Sequence, residues 1–81
     1  MTRLDDILCY YAAARLEGLR PTVGTIASAA GIDPANAAKL VARLHDAKML
    51  RRQYTASPRG RQYRYVVTPA GAARARALGV S

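Results

Sequence analysis

The sequence predicts one α+β domain, mainly helical, in which a helix-turn-helix is followed by a β-hairpin and a short closing helix. The first observation is a pair of short apolar stripes at helical spacing between residues 25 and 44, separated by Gly31-Ile32-Asp33-Pro34. The second is a Tyr-, Val- and Thr-rich run on each side of Ser57-Pro58-Arg59-Gly60, which reads as two strands and their turn. The third is size: 81 residues make a single domain, residues 1–81, with a thin core.

Taken in order, the first helix starts at Thr2. Thr2 and Asp5 match a capping box, and Asp5 and Asp6 suit the positive end of the helix dipole. Leu4, Ile7, Leu8, Tyr11, Ala12 and Leu16 trace its apolar stripe, which ends near Gly18. Tyr10 and Arg15 point elsewhere, and Cys9 reads as a small, partly buried hydrophobe. Pro21 pushes the preceding residue toward extended backbone, so Leu19 to Val23 is expected to be a loop or a very short strand.

Thr22 is the cap for the next helix, whose inner face is Ile26, Ala27 and Ala30. Gly31 supplies the positive-φ exit, Ile32 an apolar plug, Asp33 the following N-cap and Pro34 the first helical position. The second helix of the pair runs from about 34 to 47, burying Ala37, Leu40, Val41 and Leu44. A loop from Ala56 to Arg61 is expected to join the strands, with Tyr63, Tyr65 and Val67 on one face and Arg64 and Val66 on the other. The last helix, Pro69 to Leu78, is capped by Thr68, ends at Gly79 and offers Ala72, Ala73, Ala77 and Leu78 as its apolar face.

Composition removes several function classes. No apolar run reaches the roughly 18 residues of a membrane span, and residues 1–6 lack the apolar core of a signal peptide. One cysteine excludes an internal disulfide, so a cytoplasmic location, nucleoid-associated through DNA, is expected. One Cys and one His (His45, read as a surface helix residue) cannot build an ordinary zinc site, and no metal or cofactor is expected. Beyond the capping Asp5 and Asp6 there is no carboxylate pair, no nucleophile-base arrangement and no glycine-rich phosphate loop, which argues against an enzyme.

Charge placement points to a partner. The net charge is +8. Up to Asp33 there are three Lys or Arg against four acids, and from Pro34 onward ten against Asp46 alone. The basic half therefore begins with the second helix of the helix-turn-helix, which suggests a polyanion. Stepping about 100° per residue from a buried Leu40 turns Ala35, Ala38, Lys39, Ala42 and Asp46 outward, with Asn36 and Arg43 on the flanks. In a DNA major groove, Asn36 suits adenine, Lys39 and Arg43 suit guanine or phosphate, and the alanines suit thymine methyls.

The hairpin adds Arg51, Arg52 and Arg64 on its strands and Arg59 and Arg61 at its tip, more cations than edge protection needs. They suit phosphates or a narrow minor groove. Tyr54, Tyr63 and Tyr65 are compatible with base stacking, but Tyr65 fits better as core and Tyr63 is left open.

On these features the chain resembles the winged helix-turn-helix regulators, particularly the MarR-like and PadR-like families. The resemblance is carried by Gly31-Ile32, by Leu40 to Leu44 running into Met49-Leu50-Arg51-Arg52, and by Tyr65-Val66-Val67-Thr68-Pro69-Ala70-Gly71, similar to the end of the wing in those families. It implies a three-helix core, a wing at about 50–68 and a sequence-specific double-stranded-DNA-binding regulator acting as a repressor and as a homodimer. Lys48 stands where those families often have a helix-ending glycine. Their dimerisation helices are reduced here to one short helix at each end, which leaves no space for a ligand pocket, so no small-molecule effector is expected. Two other functions fit the same pattern: a weakly specific architectural, replication or phage-encoded DNA-binding factor, and a winged-helix module that docks on a protein.

Overall fold

The computed structural model describes residues 2–57 and 60–80, without the side chains of 55–57 and 60–63. Its elements are α1 (Arg3–Leu16), α2 (Val23–Ala30), α3 (Pro34–Asp46), β1 (Leu50–Ser57), β2 (Gly60–Val67) and α4 (Pro69–Ala77). The two strands pair antiparallel, with Leu50 opposite Val67 and Ser57 opposite Gly60. Pairing this far out shortens the connection to residues 58 and 59, against the longer loop from Ala56 to Arg61 read from the Ser-Pro and Arg-Gly signals. Those two residues lie outside the described ones.

Side chains cap every helix at its N-terminus. Thr2 Oγ1 accepts from Asp5 N–H at 3.1 Å and Asp5 Oδ2 accepts from Thr2 N–H at 3.3 Å, closing the expected capping box. That bond from Thr2 N–H lowers the Asp5 pKa. The same carboxylate meets Arg74 at 3.5 Å, which ties α1 to α4. Thr22, Asp33 and Thr68 cap α2, α3 and α4 in the same way.

Ile7, Leu8, Tyr11, Ile26, Val41, Leu44, Leu50, Tyr65, Val67 and Ala75 make one core drawn from every element. The α2–α3 angle is filled by Ala27 and Ala37, both essentially inaccessible, while Gly31 ends α2 in left-handed backbone (φ 69°). Leu19 to Thr22 forms no strand, and Val23 already belongs to α2.

Three apolar assignments change. Leu16, placed on the inner stripe of α1, is 66 % exposed because it falls in the last turn of the helix, at the rim of the open groove between α1 and α4. Leu40 is half-buried on the flank of α3. In α4 the buried residues are Gly71 and Ala75, while Ala73 and Ala77 face solvent. The inner stripe of α4 is set by the approach of Gly71 to the α3–β1 connection, which helical spacing alone does not reveal.

That connection turns on Lys48, the one non-glycine residue with positive φ among the described residues (63°). Lys48 N–H donates to His45 O and Met49 N–H to Leu44 O, so α3 stops as sharply as it would with glycine. Lysine bears a steric cost there that glycine does not. Lys48→Gly is expected to stabilise the domain by about 0.5–1 kcal/mol, the strain relieved outweighing the added unfolded-state entropy. A urea midpoint that falls would show that Lys48 is not strained.

Candidate nucleic-acid interface

The outward face of α3 is the first half of the site. Asp33 Oδ2 accepts from Ala35 N–H at 3.1 Å and Pro34 opens the helix, so α3 begins as expected. With Ala37, Val41 and Leu44 buried, Ala35, Asn36, Ala38, Lys39, Ala42 and Arg43 are all exposed. Helical geometry sets Ala35, Lys39 and Ala42 along the outward crest, Ala38 and His45 on one flank and Asn36 and Arg43 on the other.

The hairpin lies on the His45 flank. His45, half-buried, meets Tyr65 edge to face with ring centroids 5.8 Å apart and an interplanar angle of 75°. It is more than the surface residue its position suggested: it joins α3 to β2. Arg52, opposite Tyr65 in the register, donates through Nε to the Tyr65 hydroxyl at 3.2 Å, and its guanidinium carbon lies 5.6 Å from the ring centroid. Hydrogen bonding to Tyr65, then to Tyr54, raises the Arg52 pKa. One buried tyrosine thus carries both a residue of α3 and an arginine of the hairpin.

The remaining hairpin residues separate by face. Arg51 is exposed on the face opposite Arg52. Arg64 is half-buried and its Nη1 donates to the Arg20 carbonyl, so it holds the α1–α2 connection against β2. Arg61 stands opposite Ala56 in the ladder, with its side chain outside the described residues, and Arg59 lies wholly outside them. Tyr54 is 61 % exposed and Tyr65 is buried, as its reading as core required. The side chain of Tyr63 is not among those described.

The structure also assembles residues that sequence patterns did not. Arg3, at the start of α1, lines a shallow cleft of about 280 Å³ with Ile32, Asn36, Lys39, Leu40 and Arg43. No local pattern could have linked Arg3 to α3, because the pairing exists only once α1 packs across the helix pair. A second cleft, of about 300 Å³, separates the hairpin from the α1–α2 connection. Tyr11 and Gln53 line it, and the Tyr11 hydroxyl and Gln53 Oε1 are buried without a hydrogen-bond partner among the described atoms. Burial raises the Tyr11 pKa. Among the described residues no group of three or more His, Cys, Asp or Glu side chains forms a metal site, and no helix is long and apolar enough to cross a membrane.

No family model and no curated protein matches the sequence. Solved structures do match in fold. MepR of Staphylococcus aureus, a transcription regulator of the multidrug efflux pump MepA, is 19% identical with a TM-score of 0.71 over 95% of this chain and 54% of its own. MepR in complex with DNA is 21% identical with a TM-score of 0.76, covering 96% of this chain and 61% of its own. ZitR of Lactococcus lactis, a zinc-responsive MarR family member, is 19% identical with a TM-score of 0.74, covering 94% of this chain and 49% of its own. The chain thus spans about half the length of MepR and ZitR. Three helices, a two-stranded antiparallel hairpin and a closing helix, laid over MepR and ZitR along almost the whole chain, make this fold the winged helix that those two proteins share.

Proposed function

We propose that the chain is a sequence-specific double-stranded-DNA-binding transcriptional regulator that represses by occupying its site. In this reading α3 enters the major groove, and the wing, residues 50–68, lies on the backbone or in the minor groove. The observation that carries it is the pairing of an exposed α3 face with an arginine-rich wing, joined through Tyr65, in the half of the chain that holds ten of the 13 Lys and Arg residues. Asn36, Lys39 and Arg43 contribute polar and charged contacts, the alanines of α3 allow close approach, and Arg51, Arg59 and Arg61 add charge from the wing. Arg52 and Arg64 act less directly, by fixing the wing to Tyr65 and to the α1–α2 connection.

The protein works as a homodimer. Support comes from the exposed Leu16 and Leu19 near the end of α1 and from the open groove between α1 and α4, where Ala12, Leu16, Ala72, Ala75 and Val80 give an apolar surface edged by Arg15 and Arg76. Two copies would present two α3 helices to half-sites about one helical turn apart.

The alanine-rich crest of α3 favours a second reading, a DNA-binding factor with little sequence preference, since alanine offers no hydrogen bond to a base edge. A salt titration on random duplexes and on duplexes enriched by selection separates the two. A regulator is expected to bind selected sites at least 10³-fold more tightly than random DNA, with an affinity that falls steeply as salt rises. A steep salt dependence with no preferred site supports the second reading, and no binding at low salt overturns both.

A further inference from the structure

We propose that the start of α1 is part of the DNA-binding surface: Arg3, with Asn36, Lys39 and Arg43, forms a cleft that seats a phosphate of the duplex backbone beside α3. The proposal rests on the DNA-binding reading and extends it to an element outside the helix-turn-helix and the wing.

The cleft brings together three cations on two elements, and none of its lining residues is acidic. Among the described residues none of the three forms a salt bridge, and the nearby acids are engaged elsewhere or stand apart. Asp5 is held by Thr2 N–H and Arg74, and Asp33 accepts from Ala35 N–H. Asp6, one turn on from Arg3, makes no salt bridge to it. Like charges gathered without a counter-ion repel one another, and an anion seated among them relieves that repulsion. Asn36 adds a neutral amide donor, and the half-buried Ile32 and Leu40 form an apolar floor that lowers the local dielectric and strengthens the contact.

The position selects phosphate over base. The outward crest of α3 carries Ala35, Lys39 and Ala42, whereas the cleft lies on the Asn36–Arg43 flank, away from the wing. A helix with its crest toward the floor of the major groove turns its flanks toward the two phosphate backbones. The wing holds one flank and the Arg3 cleft the other, so α3 is bracketed on both sides.

The test is a salt titration of the full chain on a selected and a random duplex, comparing wild type with Arg3→Gln. Arg20→Gln, at an exposed arginine on the α1–α2 connection, controls for the loss of one positive charge. Losing one phosphate contact is expected to reduce the slope of log K against log salt by about 0.9, which is about fivefold in affinity at 0.15 M salt. The loss should be equal on both duplexes and absent from Arg20→Gln. An Arg3→Gln slope equal to wild type overturns the proposal. So does an equal change in both variants, which marks net charge alone, or a change in site preference without a change in slope, which marks a base contact. Failure of the wild type to bind either duplex overturns the DNA-binding reading itself, a result separate from all of these. Unchanged circular dichroism of both variants establishes that the fold is intact.

Discussion

Gly71→Ala is expected to destabilise the domain by about 3 kcal/mol or more, a large fraction of the roughly 4–12 kcal/mol that a domain of this size has. A Cβ at Gly71 would overlap the Met49 carbonyl oxygen, sit 3.0 Å from the carbonyl carbon and meet Val67 Cγ1 at 3.1 Å. Backbone cannot swing aside as a side chain can, so relief requires moving α4 away from the α3–β1 connection. The same junction holds two further bonds that such a movement breaks. Thr68 Oγ1 donates to Lys48 O at 2.6 Å, and Thr68 N–H donates to Met49 O at 3.1 Å. Thr68 Oγ1 also accepts from Gly71 N–H, which makes one residue both the α4 cap and the link to the end of α3. At about 4–8 °C per kcal/mol for a domain of this length, thermal unfolding should occur more than 10 °C lower in the variant. A midpoint within about 2 °C of wild type would mean that α4 is loosely held and the close approach is unimportant.

Features written into local chemistry were legible in the sequence. The four N-caps, the Gly31 exit, the Pro34 start and the exposed set on α3 all follow from spacing and capping preferences, which act within a turn or two of chain. Features that depend on distant elements were not. Leu16 lies on the right stripe, yet it falls at the rim of the open groove between α1 and α4 and stays exposed. The tip signals Pro58 and Gly60 suggested a long loop because turn residues mark where a strand can stop, while cross-strand pairing decides where it does stop. In the candidate site, the exposure of Asn36, Lys39 and Arg43 could be read from periodicity alone. The turn of Arg64 toward the Arg20 carbonyl, the bond from Arg52 to Tyr65 and the arrival of Arg3 beside α3 are tertiary contacts over long sequence separations. Lys48 shows a different limit. The residue type is not the glycine that a left-handed helix exit favours, and the surrounding hydrogen bonds impose that exit regardless.

Tyr65→Ala is expected to cost about 3–5 kcal/mol and to separate the wing from the recognition helix, whereas Tyr65→Phe should lose only about 1 kcal/mol. The difference follows from what the side chain does. Its ring is 8 % exposed, packs among residues of α1, α3 and β1, and takes the edge-to-face contact with His45, so removing the ring opens a cavity where the elements meet. Its hydroxyl accepts from Arg52 Nε at a partly solvated position, so removing the hydroxyl leaves a donor that water can satisfy. If the wing acts on DNA as a rigid extension of α3, the two variants also part in binding. Tyr65→Phe keeps the ring contact with His45 and should bind within a fewfold of wild type. Tyr65→Ala, measured at a temperature where it is still folded, should lose affinity on selected and random duplexes alike, because a displaced wing removes phosphate contacts that carry no sequence information. Chemical unfolding and duplex binding on the same preparations decide it. Equal binding by a folded Tyr65→Ala would mean that the wing takes its position from DNA and not from α3.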